Sequence, residues 1–167
     1  MKKSKRPVLK IPRSPLENVI EVLAVLGIIV NALILYYYWP ALPDVIPTHF
    51  GISGEADGWG SKNTLFFLLG MGVFSYVLMT VLNFFPHTFN YLVEITEKNA
   101  RAQYANARLM MNFMKVELVY LFAYLTWGTV QAALGNASGL DMRIMIVAII
   151  VITVSPLYFI WRMRGIG

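Results

Sequence analysis

The chain of 167 residues contains no cysteine. Disulfide frameworks, thiolate metal centres and cysteine nucleophiles are therefore excluded, and the redox compartment is left open. Charge is scarce as well. Asp, Glu, Lys and Arg make up 14% of the chain, against about 25% in soluble domains. No P-loop, GxGxxG, HExxH or GxSxG pattern occurs, so the common phosphate-loop, dinucleotide, zincin and serine-hydrolase motifs are missing. Apolar residues dominate instead, at 57% with a mean hydropathy of +0.60. The length would suit one soluble domain, but low charge and long apolar runs point to an integral membrane protein.

Four apolar runs stand out, about Val19–Trp39, Leu65–Phe85, Val116–Leu134 and Ile144–Trp161. Each is close to the roughly 20 residues that cross a hydrocarbon core. Backbone groups in lipid must pair internally, so each run reads as a helix. The expected fold class is an all-α integral membrane protein, with four transmembrane helices and an ordered extracytoplasmic loop between helices 1 and 2. Residues 1–18 read as a basic cytoplasmic segment, and 19–85 as a transmembrane hairpin with its outer loop at 40–64. Residues 86–115 read as a cytoplasmic helical loop, and 116–167 as a second hairpin with a short tail. The first run is followed by YYYWP rather than a small-residue cleavage site, which reads as an uncleaved anchor.

Orientation follows from the cations. Lys2, Lys3, Lys5, Arg6, Lys10 and Arg13 precede the first run, and Lys98, Arg101, Arg108 and Lys115 lie between the second and third. Arg162 and Arg164 follow the fourth, making twelve on one side against only Lys62 and Arg143 on the other. The positive-inside rule then places the protein in the cell membrane as a multi-pass protein, N- and C-termini cytoplasmic. Trp39, Trp161 and Tyr36–Tyr38 suit interfacial belts. The bilayer is the expected partner of the basic N-terminal segment through anionic headgroups; no nucleic acid is expected.

The segment Ile95–Lys115 has a helical look. Thr96 is a candidate N-cap, Glu97 sits four residues before Arg101, and Ala100, Tyr104, Ala107, Met111 and Met114 recur at helical spacing. Joined to the third run it would make a helix of about 38 residues, roughly 57 Å long. The preferred reading is a separate interfacial helix with its cations at the headgroups. Arg101, Tyr104, Arg108 and Lys115 are its candidates for contact with lipid or a cytoplasmic regulator.

Within the apolar runs, Asn31 and Gln131 read as interhelical hydrogen-bond glue. Glu21 and Glu117 lie near the cytoplasmic interface, within reach of Arg13 or Lys115. Gly27, Gly70, Gly72 and Gly128 suit close helix approach, and Pro156 should bend the fourth helix.

The polar interruption LPDVIPTHFGISGEADGWGSK (Leu42–Lys62) carries most of the remaining chemistry. It offers Asp44, His49, Glu55, Asp57, Trp59 and Lys62 as ligand-recognition candidates. Histidine with carboxylates can bind a divalent cation, but the spacing matches no metal motif. No metal and no cofactor are therefore expected, with His49 and Asp57 as weak metal candidates. A His49–Asp57 acid–base dyad has no nucleophile or oxyanion donor beside it. A structural cap ranks first for this loop, then a recognition surface, then metal binding, then catalysis.

The same residues carry a resemblance. An apolar helix, the LPD, PTHF and DGWGSK elements with a Gly between, and a second helix resemble the small membrane domain of unknown function in SdpI-type immunity proteins. The similarity spans about Val19 to Lys115. Carried over by residue, its signature is Leu42, Pro43, Asp44, Pro47, His49, Phe50, Gly54, Asp57, Trp59 and Lys62. The resemblance implies protection against a secreted toxic peptide, and in the founding type the holding of a repressor at the membrane. This chain departs from it in having four expected spans where the immunity protein has six. The functional expectation is a non-enzymatic membrane protein that recognises an extracellular or membrane-inserting peptide, or another ligand, at its outer face for immunity or signalling. A small transporter or accessory subunit and a metal-dependent membrane enzyme using His49 and Asp57 are the rivals.

Overall fold

The computed structural model describes residues 6–166; Lys2, Lys3 and Lys5 of the basic N-terminal segment lie outside the described residues. Helix α1 spans Pro15–Tyr38 and starts a turn before the apolar run. The cause is a capping box. Ser14 Oγ accepts from the Glu17 backbone N–H at 3.2 Å, and the Glu17 carboxylate accepts from the Ser14 N–H at 2.7 Å. Pro15 at the first helical position forfeits a donor the helix would leave unpaired anyway.

After a 3-10 turn at Trp39–Ala41, strands β1 (Val45–Phe50) and β2 (Ala56–Ser61) pair antiparallel. Helices α2 (Thr64–Leu82), α3 (Ala100–Ala133) and α4 (Met142–Met163) follow, with a 3-10 turn at Pro86–Thr88 between α2 and α3. Among the described residues, four helices are long and apolar enough to cross a membrane. The chain is thus mostly helical, and the two-stranded sheet corrects the all-α expectation.

Helix α3 is the axis of the bundle, packed against α1, α2 and α4. It also corrects the reading of a separate interfacial helix, because Ala100–Ala133 runs unbroken for 34 residues, about 51 Å. Its first half packs one face against the rest of the chain and leaves Arg101, Ala102 and Ala105 exposed. Ala100, Tyr104, Ala107 and Met111 are buried, and Ile95, Ala100 and Tyr104 form a small core with Leu9, Ile11, Tyr91 and Val93 around it. The Gln103 amide donates to the carbonyls of Met163 and Ile166 at 2.8 and 2.7 Å, and that of Asn106 to Phe159 O at 3.0 Å. Of these three acceptors, Met163 O is one of the last four carbonyls of α4, which have no partner within the helix. The N-cap of α3 is Asn99 rather than Thr96; Thr96 closes the turn just before it, its hydroxyl accepting from Asn99 N–H while the Asn99 side chain accepts from Thr96 N–H at 2.9 Å.

Close packing depends on small residues at two places. A Cβ on Gly27 would sit 2.7 Å from Val119 of α3, and one on Gly128 would overlap the Leu140 side chain. Gly70 faces open space, so close approach does not explain it. The expected amide glue is also revised. Gln131 accepts from Asn136 within the loop after α3 rather than from another helix. Asn31 is buried with its Oδ1 unpaired. Helix α4 buries only Phe159 and Met163 and runs on through Pro156.

Candidate functional site

The hairpin is built from a short apolar strand and a glycine-rich one. Ile46 is fully buried, and it joins Leu35, Leu42, Leu65 and Val130 in the core beneath the sheet. The turn closes through Gly54 N–H to Gly51 O and Gly51 N–H to Glu55 O, both 2.9 Å. Gly54 has φ +87°, and a Cβ there would overlap the Leu140 carbonyl; only glycine fits without strain. Leu140 N–H donates to Gly54 O at 2.9 Å, and Glu55 bridges to Gly139. The hairpin is thereby fastened across to the α3–α4 connection. A bulge near Thr48 shifts the register between Pro47 and Phe50.

Of the six loop candidates, two work at the base of the hairpin. Lys62 Nζ pairs with Asp44 Oδ1 at 3.1 Å, donates to Leu42 O at 3.3 Å and lies 5.2 Å from the centre of the Trp39 ring. His49 Nδ1 and Asp57 Oδ1 form an exposed pair across the strands. Trp59 is 61% exposed and Ile52 97%, and Glu55 is also exposed. The geometry therefore splits the set into a strut, Asp44–Lys62, and a displayed group of Glu55, His49–Asp57 and Trp59. Among the described residues no cluster of three His, Cys, Asp or Glu side chains gathers to hold a metal ion.

The α3–α4 connection carries a further charged group. Asp141 caps α4 by accepting from Arg143 N–H at 2.9 Å, and its carboxylate takes the Arg143 guanidinium at 2.7 Å. The hydrogen bond from the Arg143 side chain is the main reason its carboxyl is held down at about 2.

The opposite end of the bundle concentrates buried charge. Lys115, fully buried, donates to Glu21 at 2.6 Å and to Thr80 at 3.2 Å, and Tyr76 donates to Glu21 at 2.5 Å. Arg108 pairs with Glu17 at 2.8 Å and donates to Ile11 O at 2.7 Å. Asn112 donates to Glu17 at 3.4 Å and accepts from Asn83 at 2.7 Å. Of the residues expected to meet lipid or a regulator, Tyr104, Arg108 and Lys115 are thus buried inside the chain, and Arg101 alone is exposed. The desolvated cations need carboxylates beside them, and α1 supplies both. Glu17 escaped sequence reasoning, although Ser14-Pro15-Leu16-Glu17 spells the capping-box signature. Glu117 pairs with neither Arg13 nor Lys115. It lines a groove between α3 and α4 beside Ser155, its Oε2 buried without a partner.

Residues 26–73, which hold about half of α1, the hairpin and about half of α2, match the family described as Domain of unknown function (DUF1648). No curated protein and no solved structure matches the chain.

Proposed function

We propose that this chain is a multi-pass protein of the cell membrane, with both termini cytoplasmic and the β-hairpin facing outward, where it recognises a peptide or another ligand without catalysis. The single observation that carries this reading is the displayed face of the hairpin. Trp59 and Ile52 stand exposed beside the His49–Asp57 pair, on a scaffold fastened to the α3–α4 connection. Tryptophan is among the residues that most often carry the binding energy of protein interfaces. The twelve-to-two division of cations supports the outward placement. The resemblance to SdpI-type proteins motivates immunity or signalling as the purpose of recognition; the matched domain at residues 26–73 carries no assigned function.

The test is tolerance. Cells expressing the chain are expected to survive membrane-active peptides that kill cells without it. The triple change His49→Ala, Asp57→Ala and Trp59→Ala is expected to abolish that gain while the protein stays at parental abundance in the membrane. No gain for any candidate peptide, together with an unchanged phenotype in the triple variant, would sink the recognition role.

A further inference from the structure

At the end of the bundle away from the hairpin lies a cavity of about 510 Å³, walled by the Leu9–Arg13 segment, the start of α1, the end of α2 and the first half of α3. Four cations line it, Lys10, Arg13, Arg108 and Lys115, against the carboxylates of Glu17 and Glu21. Both carboxylates are already engaged. Glu17 holds Arg108, Asn112 and the Ser14 N–H, while Glu21 holds Lys115 and Tyr76. Lys10 and Arg13 are exposed and, among the described residues, pair with no carboxylate. Arg108 is 8% exposed and its Nε has no partner.

A concave, polar site with more cations than anions focuses positive potential and concentrates anions. Guanidinium and ammonium groups together match the several acceptor oxygens of a phosphate. Leu9, Ile11, Phe84 and Pro86 add an apolar side to the same cavity, which suits a phosphate that carries hydrocarbon. We propose that this cavity binds a phosphate group, held at its mouth by Lys10 and Arg13. The source is either an anionic phospholipid headgroup or free phosphate. The inference rests on the charge and shape of the cavity and is independent of what the hairpin does.

The experiment compares the purified full chain with a Lys10→Gln, Arg13→Gln variant and with a Lys98→Gln, Arg101→Gln control, which removes two exposed cations outside the cavity. In micelles doped with phosphatidylglycerol, native mass spectrometry is expected to show one retained lipid on the parent and control. Retention by the Lys10/Arg13 variant should be weaker by about tenfold, the scale of one or two charge-assisted contacts. Phosphatidylcholine should not be retained. In a second arm, inorganic phosphate is added to lipid-free protein. A rise in melting temperature for parent and control but not the variant, without selective lipid retention, identifies free phosphate as the ligand and upholds the site. Equal behaviour of parent and variant in both arms overturns it. So does equal loss in the control, because general surface charge would then explain the binding.

Discussion

Lys115 shows how much depends on single side chains. It is fully buried, and its ammonium meets Glu21 at 2.6 Å and Thr80 at 3.2 Å. Removing one member of a buried pair strands the other charge, at a cost of about 3–5 kcal/mol. Lys115→Met is therefore expected to lower stability in micelles by that amount. Adding Glu21→Leu should recover much of the loss, as a double-mutant cycle of unfolding would reveal; additive losses would show that the two side chains do not depend on each other. In the sequence Lys115 looked like a headgroup contact, since seven-residue spacing with Arg101 and Arg108 describes a face without saying what covers it. The covering residues, Glu17 and Glu21, lie more than ninety positions away in the chain, and no local pattern reports a contact of that range. His49 and Asp57 were legible as a candidate pair because they fall within one short loop. Asp44 and Lys62 were legible as charges, but their role as a strut depends on a hairpin base that only the fold supplies.

The helices were readable because membrane-length apolar runs leave few alternatives. The hairpin was not, since Pro47 sits in one strand and Gly58 and Gly60 in the other, and these residues weaken strand signals. What holds it together is tertiary: Ile46 in the core beneath and Leu140 N–H on Gly54 O. The continuity of α3 was likewise hidden, because a basic and amide-rich face resembles an interfacial helix until α1 and α4 are packed against it. Two glycines separate local strain from contact. Gly54 (φ +87°) faces the Leu140 carbonyl, whereas Gly135 (φ +73°) has nothing within 4 Å of a Cβ. Gly135→Ala should cost only the left-handed backbone penalty of about 1–2 kcal/mol. Gly54→Ala should cost more and should also free the hairpin from the α3–α4 connection. Hydrogen exchange of the Leu140 amide would then rise in the Gly54 variant alone; equal protection in both variants would contradict this account of the fastening.

At the scale of the whole molecule, the two ends of the bundle differ in kind. One end closes with a sheet that displays Trp59 and the His49–Asp57 pair; the other encloses the cation-lined cavity and the paired Glu17–Arg108 and Glu21–Lys115 groups. Of the fourteen cations only Lys62 and Arg143 belong to the hairpin end in the sequence, and that asymmetry is the physical basis for the proposed outward placement of that end. Because the chain has no native cysteine, introduced thiols report position without background. A membrane-impermeant maleimide applied to intact cells is expected to label Ser53→Cys in the hairpin turn, and to label Lys98→Cys and Arg164→Cys only after the membrane is opened. Labelling of Lys98→Cys and Arg164→Cys in intact cells, with Ser53→Cys protected, would contradict the orientation and the recognition role built on it.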